Sequence, residues 1–257
     1  MLSSRLAGKD AIVTGTGSGI GQSCALMFAR HGARVVGCDI NAASAEATRA
    51  TARAENLDFV SLQPCDLTKP ADVARLIDFT LARYGGVDIL VNAAATGDFR
   101  WIEEMDYELH WRHTLASELD SVFLMCQAAW PHLVARGGGS IINLASANAS
   151  VALKNSPALA HCAGKGGVLA MTRQLAMEGG PHKIRANTIS PGMIVTGATE
   201  RHLKEVPALI EKVLQKKMIK RLGQPEDVAW CAIYLASDES SWGTAADFSV
   251  DGGASSW

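Results

Sequence analysis

The segment Thr14-Gly15-Thr16-Gly17-Ser18-Gly19-Ile20-Gly21 follows the short apolar run Asp10-Ala11-Ile12-Val13 and opens a helical pattern that runs from Gly19 to His31. A glycine-rich turn between a strand and a helix has a physical purpose. Glycine lets the backbone turn sharply and approach a pyrophosphate with no Cβ in the way. The helix behind it offers unpaired N–H groups and the positive end of its dipole to the phosphates. The spacing is not GxGxxG, because Ile20 and Gln22 stand where a third glycine would fall.

Outward from this turn, strand-like and helix-like patterns alternate. Arg34-Val35-Val36-Gly37-Cys38-Asp39 reads as a second strand, and Ala42 to Glu55 as a second helix. Phe59–Leu62, Asp88–Asn92, Ser140–Leu144, Ile184–Ile189 and Ala246–Val250 read as further buried strands. Short apolar strands separated by helices imply βαβ units. The predicted fold is therefore α/β, a doubly wound parallel sheet with helices on both faces, in a single domain spanning 1–257. Asp39 ends the second strand about 20 residues beyond the glycines, where a carboxylate accepts hydrogen bonds from ribose hydroxyls. It would repel a 2′-phosphate, so the predicted cofactor is NAD rather than NADP. Arg34, at the start of that strand, is the one nearby cation weighed against this reading.

Composition narrows the function classes. The chain has 257 residues, 48% hydrophobic and 19% charged, which suits one well-filled globular core. A formal net charge of −2 gives no electrostatic footprint for nucleic acid or an anionic membrane. Cysteines at 24, 38, 65, 126, 162 and 231 form no CxxC pair, so free buried thiols are expected and a zinc site is not. Met1-Leu2-Ser3-Ser4-Arg5-Leu6 lacks a signal-peptide core, and no apolar run is long enough to span a bilayer. A cytoplasmic protein acting on a small molecule, with no membrane or nucleic-acid partner, is the expectation.

With these residues read, the chain resembles the short-chain dehydrogenase/reductase family, a Rossmann-type fold, over essentially its whole length. Gly15, Gly19 and Gly21 give that family's TGxxxGxG pattern, and the resemblance implies that Thr16, Ser18 and Ile20 within it also line the nucleotide. Asp66 and Leu67 of Cys65-Asp66-Leu67-Thr68 resemble its adenine-holding segment. Asn92-Ala93-Ala94-Ala95 resembles its NNAG motif, with alanine at the second and fourth places. Ser190-Pro191-Gly192-Met193-Ile194-Val195-Thr196 resembles its PGxxxT segment, which implies that Ile194 and Thr196 hold the nicotinamide carboxamide. Arg221-Leu222-Gly223-Gln224-Pro225-Glu226-Asp227-Val228 and Val250-Asp251-Gly252-Gly253 resemble its C-terminal signatures.

The family's catalytic Asn, Ser, Tyr and Lys are only partly matched. The serine falls on Ser146, and the YxxxK helix reads His161-Cys162-Ala163-Gly164-Lys165. Lys165 is in place one turn along the same face, but histidine stands for tyrosine. The asparagine falls on Glu118 of Glu118-Leu119-Asp120-Ser121-Val122-Phe123. Tyr84, Tyr107 and Tyr234 are the only tyrosines, and none is near His161. Imidazole is itself an acid–base group. A neighbouring Lys165 cation favours its neutral form, a base suited to alcohol oxidation, and pairing of Glu118 with Lys165 or His161 would oppose that.

Three readings follow. In the first, an NAD-linked oxidoreductase interconverts a secondary alcohol and a ketone, with His161 as base, Ser146 orienting the oxygen, and Lys165 binding ribose. In the second, Ser146, His161 and Glu118 drive non-redox chemistry, as in a hydrolase triad, an isomerase or a lyase. No GxSxG elbow surrounds Ser146, and a dehydrogenase scaffold is not expected to align the three. In the third, a catalytically weakened relative binds nucleotide only.

Three smaller signals remain. His110 and His113 sit three apart on a helix, but no further ligands accompany them, so no metal is predicted. Core packing is the expected role of Trp101, Trp111 and Trp130. Residues 197–217 fall where the family keeps a substrate lid, and Leu203, Val206, Leu209, Ile210, Val213 and Leu214 form an apolar face suited to a partly apolar substrate. Resemblance to the family also implies a homotetramer, with the apolar stretches 122–125 and 168–171 on buried helix faces.

Overall fold

The computed structural model describes residues 4–152, 154, 156–197, 199–200 and 207–257. The central strands are buried almost throughout, the pattern of a parallel sheet covered on both faces, while the edge strands over Phe59–Leu62 and Asp247–Val250 are part-exposed. The seven strands are β1 (Asp10–Thr14), β2 (Arg34–Cys38), β3 (Phe59–Leu62), β4 (Ile89–Asn92), β5 (Gly139–Leu144), β6 (Ile184–Pro191) and β7 (Asp247–Val250). They pair in parallel in the order β3-β2-β1-β4-β5-β6-β7. Sequence patterning ends β6 at Ile189. Pairing of Ser190 with Ser249 and of Pro191 with Val250 carries it two residues further.

The helices start and stop where their chemistry dictates. α1 is Gly19–Arg30. α2 (Ala42–Ala54) is capped by the Asn41 side chain, which accepts from the Ala43 and Ser44 N–H groups. α3 (Pro70–Tyr84) opens with proline and ends on Gly85 at φ +83°. A helical run over 107–135 is wound as a π-helix at Tyr107–Arg112 and Ala116–Asp120, and as α-helix at His113–Leu115 and Ser121–Ala135; the last of these is α4. α5 is Leu159–Gly179 and α6 is Pro207–Gln215. α7 (Pro225–Ala236) has a capping box between Gln224 and Asp227. No helix among the described residues is long and apolar enough to cross a membrane. Of the apolar lid face, Leu203 and Val206 lie outside the described residues.

Alternation along the strands divides the core in two. Ala11, Val13, Ile89, Val91, Ile142 and Leu144 face α1 and α7, around a fully buried Phe28. Ile12, Leu90 and Ile141 face the opposite way, against Leu76 of α3, Met125 and Leu133 of α4, and Val168 of α5. Of the tryptophans, Trp130 packs against the second core cluster as expected, while Trp101 departs from that expectation. Trp101 is 46% exposed, and Trp111 and Trp130 are half-buried, the latter edge-on to His182.

At the N-terminal edge of the sheet, the buried Asp10 carboxylate lies between two guanidinium groups. Arg34 Nε donates to it at 2.6 Å, and Arg136 Nη2 pairs with its other oxygen. Arg34 is thus engaged at the end of β2 opposite to Asp39, so it cannot serve a phosphate beside that carboxylate. Leu90 is fully buried in the sheet's central region. Leu90→Ala should lower the unfolding free energy by about 2–5 kcal/mol, read as a lower urea midpoint at unchanged slope.

Candidate active site

Strand order reverses between β1 and β4, and the crevice at a doubly wound sheet's switch point opens at the carboxyl ends of those strands. The Thr14 hydroxyl fastens the two ends together by accepting from the Ala93 N–H (2.9 Å) and the Ala94 N–H (3.0 Å). Gly15 follows at φ +71°, and a Cβ there would come 2.8 Å from Ala94 Cα. At Gly21 a Cβ would overlap the Gly15 carbonyl. Both positions are therefore restricted to glycine by backbone, not by side chains. Beside the turn, the Thr196 side chain meets Gly19, where a Cβ would lie 3.0 Å from Thr196 Cγ2. A cleft lined by Gly19, Gln22, Val195 and Thr196 opens there.

Asp39 sits past the tip of β2. One carboxylate oxygen accepts from the Gly17 N–H and the other from the Asn41 N–H, each at 2.8 Å. The carboxylate therefore shapes the glycine turn as well as presenting charge beside it. The Cys65 N–H donates to the Asp39 carbonyl at 2.9 Å, which brings Asp66 and Leu67 alongside. Asp66 accepts from the Thr68 N–H and hydroxyl and pairs with Lys69. Asn92 is buried and donates to Asn143 Oδ1 at 2.8 Å, while its own Oδ1 has no partner among the described residues. Pro191 and Gly192 close the far side, where Gly192 packs on Asp251, and Ile194 leads on to Thr196. Gly15, Gly19, Gly21 and Thr196 thus lie close together around the carboxyl end of β1, with Thr16 fully buried and its hydroxyl bonded to the Cys38 carbonyl. The constricted glycine turn and the open N-terminus of the twelve-residue α1 fit a dinucleotide's pyrophosphate.

At the other end of the crevice, β5 delivers Ser146, whose Oγ accepts from the Asn148 N–H at 3.2 Å. His161 and Lys165 project from α5 one turn apart. Lys165 is buried, and its Nζ donates to the Leu144 carbonyl at 2.9 Å. Burial pushes this ammonium below the ordinary lysine range, and the Glu118 carboxylate acts in the opposite sense.

Glu118 comes from the π-wound turn Ala116–Asp120 and is only 3% exposed. Such turns recur at functional sites. Its two oxygens lie 2.7 and 3.0 Å from His161 Nδ1, and His161 Nε2 lies 3.2 Å from Ser146 Oγ. An ionised carboxylate only accepts, so the partners assign the Nδ1 position as N–H. The Nε2 lone pair is left facing the serine hydroxyl. Glu118, His161 and Ser146 are therefore aligned as a continuous hydrogen-bonded chain, contrary to the expectation that this scaffold would not bring them together. Glu118 pairs with His161 by hydrogen bond, and with Lys165 through charge.

Sequence reasoning missed what makes room for that chain. A Cβ at Gly97 would sit 2.8 Å from Glu118 Oε1, and one at Gly164 would sit 3.2 Å from both Glu118 Cβ and Oε2. Gly97 is held there because the Thr96 N–H donates to Ser117 Oγ (2.7 Å) and the Asp98 N–H to Thr114 Oγ1 (3.0 Å). Gly164, mid-helix where glycine costs stability, was the one legible signal. Phe99 also escaped notice; its ring centroid lies 5.5 Å from that of His161, and it is 45% exposed. Elsewhere, His110 Nδ1 accepts from the Asp106 N–H, and His113 pairs with Asp98. No group of three or more potential metal ligands occurs among the described residues.

Comparison with known proteins agrees with this architecture. A family model described as enoyl-(acyl carrier protein) reductase matches residues 15–255. D-threitol dehydrogenase of Mycolicibacterium smegmatis is 39% identical over 97% of this chain and 94% of its own length. NAD-dependent glycerol dehydrogenase of Listeria innocua is 35% identical over 95% of this chain and 93% of its own. A solved 7α-hydroxysteroid dehydrogenase, complexed with NADH and 7-oxo glycochenodeoxycholic acid, superposes with a TM-score of 0.90 at 35% identity, covering 97% of this chain and 95% of that one. The chain belongs to the short-chain dehydrogenase/reductase family.

The geometry around Glu118 can be tested directly. Nitrogen-15 NMR of the histidines should show the His161 proton on Nδ1. Gly164→Ala should gain up to about 1 kcal/mol of helix propensity while displacing Glu118 and altering that resonance. An unchanged His161 spectrum in Gly164→Ala would contradict the crowding inferred here.

Proposed function

We propose that this chain is an NAD(H)-linked oxidoreductase that interconverts a secondary alcohol and a ketone, with His161 exchanging the proton. The observation that carries this reading is the chain of hydrogen bonds from Glu118 through His161 to Ser146 at the end of the nucleotide crevice. On this reading His161 takes the place of the family's tyrosine and Glu118 that of its asparagine. An ionisable pair in hydrogen-bonded register favours a working proton path over a site that only binds nucleotide.

The glycine turn from Gly15 to Gly21, with Thr16, Ser18 and Ile20, would hold the pyrophosphate. Asp39 would hold the adenosine ribose, Asp66 and Leu67 the adenine, and Lys165 the second ribose. Asn92, Pro191, Gly192, Ile194 and Thr196 would border the nicotinamide. A bound nicotinamide supplies the hydride acceptor for alcohol oxidation. The protein's own contribution is the proton. Ser146 orients the substrate oxygen, Nε2 of His161 takes its hydrogen, and Glu118 holds the imidazolium so formed without letting it rotate. Lys165, close enough to feel Glu118, keeps that pocket from carrying excess negative charge.

Asp39 supports NAD over NADP, since its carboxylate disfavours a 2′-phosphate and Arg34 is held elsewhere by Asp10. The exposed Phe99 ring beside His161 supports a substrate with an apolar portion next to the reacting carbon. We further read the chain as one domain with a substrate lid over 197–217, cytoplasmic and tetrameric. Phe123, 48% exposed on α4, is consistent with a subunit contact, which light scattering would measure.

Two measurements test the proposal. In fluorescence titration, NADH should bind more tightly than NADPH; equal affinities would remove Asp39 from its role. His161→Ala should lower the rate of alcohol oxidation by about 10²–10⁴-fold with NADH affinity nearly unchanged. Preserved turnover would remove His161 as the base.

A further inference from the structure

We propose that Ser146 is also a nucleophile, so that this site hydrolyses activated carboxylic esters with no nicotinamide involved. The proposal rests on the same side chains but not on the redox reading, and either can stand without the other.

A serine hydroxyl is a poor nucleophile until a base takes its proton, and the base is effective only when a third group fixes its tautomer. Both conditions are met in the fold. Ser146 is half-buried with its Oγ 3.2 Å from Nε2 of His161. His161 Nδ1 lies 2.7 Å from a carboxylate that is almost wholly buried. The glycines at 97 and 164 leave that carboxylate a fitted slot. A further feature adds to these: the Asn148 N–H donates to Ser146 Oγ, which orients the hydroxyl hydrogen toward Nε2 and favours charge developing on the oxygen.

The chemistry balances with water as the only co-reactant. Ser146 Oγ attacks the ester carbonyl carbon while its proton passes to His161 Nε2. The ester C–O bond breaks, and the departing alkoxide takes that proton and leaves as alcohol. Water then gives a proton to Nε2 and its hydroxide to the acyl carbon, and Ser146 recovers the proton as the carboxylic acid departs. Glu118 never moves a proton; it is a positioning residue that holds the ring and balances the imidazolium. No GxSxG elbow presents a backbone oxyanion hole beside Ser146, so esters with good leaving groups are the expected substrates. Phe99, beside His161 and partly exposed, suits small acyl groups that can lie against an aromatic face.

The test uses the purified full chain without nicotinamide. It is treated with an alkyl fluorophosphonate and analysed by intact mass and peptide mapping, and in parallel 4-nitrophenyl acetate hydrolysis is followed. One adduct per chain, mapped to Ser146 and lost when the protein is unfolded in urea before labelling, is the expected result. Labelling should be at least about tenfold slower in His161→Ala and also slowed in Glu118→Gln, with nitrophenolate release following the same order. A Glu118→Asp variant should recover part of the rate, which a merely structural defect would not do. Absence of an adduct at Ser146 in the folded wild-type chain overturns the proposal with no variant needed. So does labelling that is equally fast in His161→Ala. NADH titration of the same samples keeps the two readings apart, because lost nucleotide binding would count against the redox reading and leave the adduct result unchanged.

Discussion

A carboxylate that is 3% exposed must be partnered, because the protein interior solvates an isolated charge poorly. Glu118 meets that constraint with His161 at 2.7 Å and with the field of the nearby Lys165. Much of the site's arrangement can be followed from this one requirement. The imidazole has to present Nδ1 inward, so Nε2 has to face Ser146. The loop after β4 has to pass Glu118 with no side chain at 97, and α5 has to do the same at 164. Breaking such a pair by removing one partner typically costs about 3–5 kcal/mol, so substitutions at either end touch stability as well as chemistry.

The sheet sets the distance over which this local constraint operates. β1 and β4 adjoin at the switch in strand order, and the Thr14 hydroxyl fastens their ends by two backbone bonds. That fastening places the glycine turn against the loop carrying Gly97, so the turn and the Glu118–His161–Ser146 chain lie on either side of one segment. Asp39 acts similarly on the outer side, where its carboxylate fixes Gly17. At the opposite edge, Asp10 with its two arginines ties β1, β2 and the segment after α4. Ion-pair stabilisation and chemistry thus occupy opposite ends of the same strands, as parallel α/β sheets allow.

How much of this the sequence discloses depends on the range of each signal. Local patterns were sufficient for the strands, since the runs around Ile12-Val13, Val35-Val36 and Ile141-Ile142 are short, β-branched and flanked by glycines or polar turns. The first two helices were readable to within a residue, Gly19–His31 against the observed Gly19–Arg30 and Ala42–Glu55 against Ala42–Ala54, whereas the caps at Asn41, Pro70, Gly85 and Pro225 emerge only from the structure. The composition of the site was legible through motif order, with Ser146, His161, Lys165 and Glu118 all singled out. Its geometry was not. Glu118 and His161 are 43 residues apart, and their meeting depends on a π-wound turn that no periodicity announces. The slot at Gly97 was invisible because a glycine in a loop has many uses. Trp101 went wrong for a related reason: a large apolar side chain reads as core, yet it stands at the start of the short turn Ile102–Glu104 and is 46% exposed.

Gly164 has one more implication, concerning the order in which such a site can be assembled. With a methyl group at 164, a glutamate at 118 would press against it at 3.2 Å in two places. With a smaller side chain at 118, glycine at 164 would weaken the middle of α5 for no return. Each change is therefore unfavourable or neutral until the other is present, which makes the pair epistatic. A design campaign would reach this arrangement by loosening the helix first, and shortening the side chain at 118 alone would leave a cavity between positions 97 and 164.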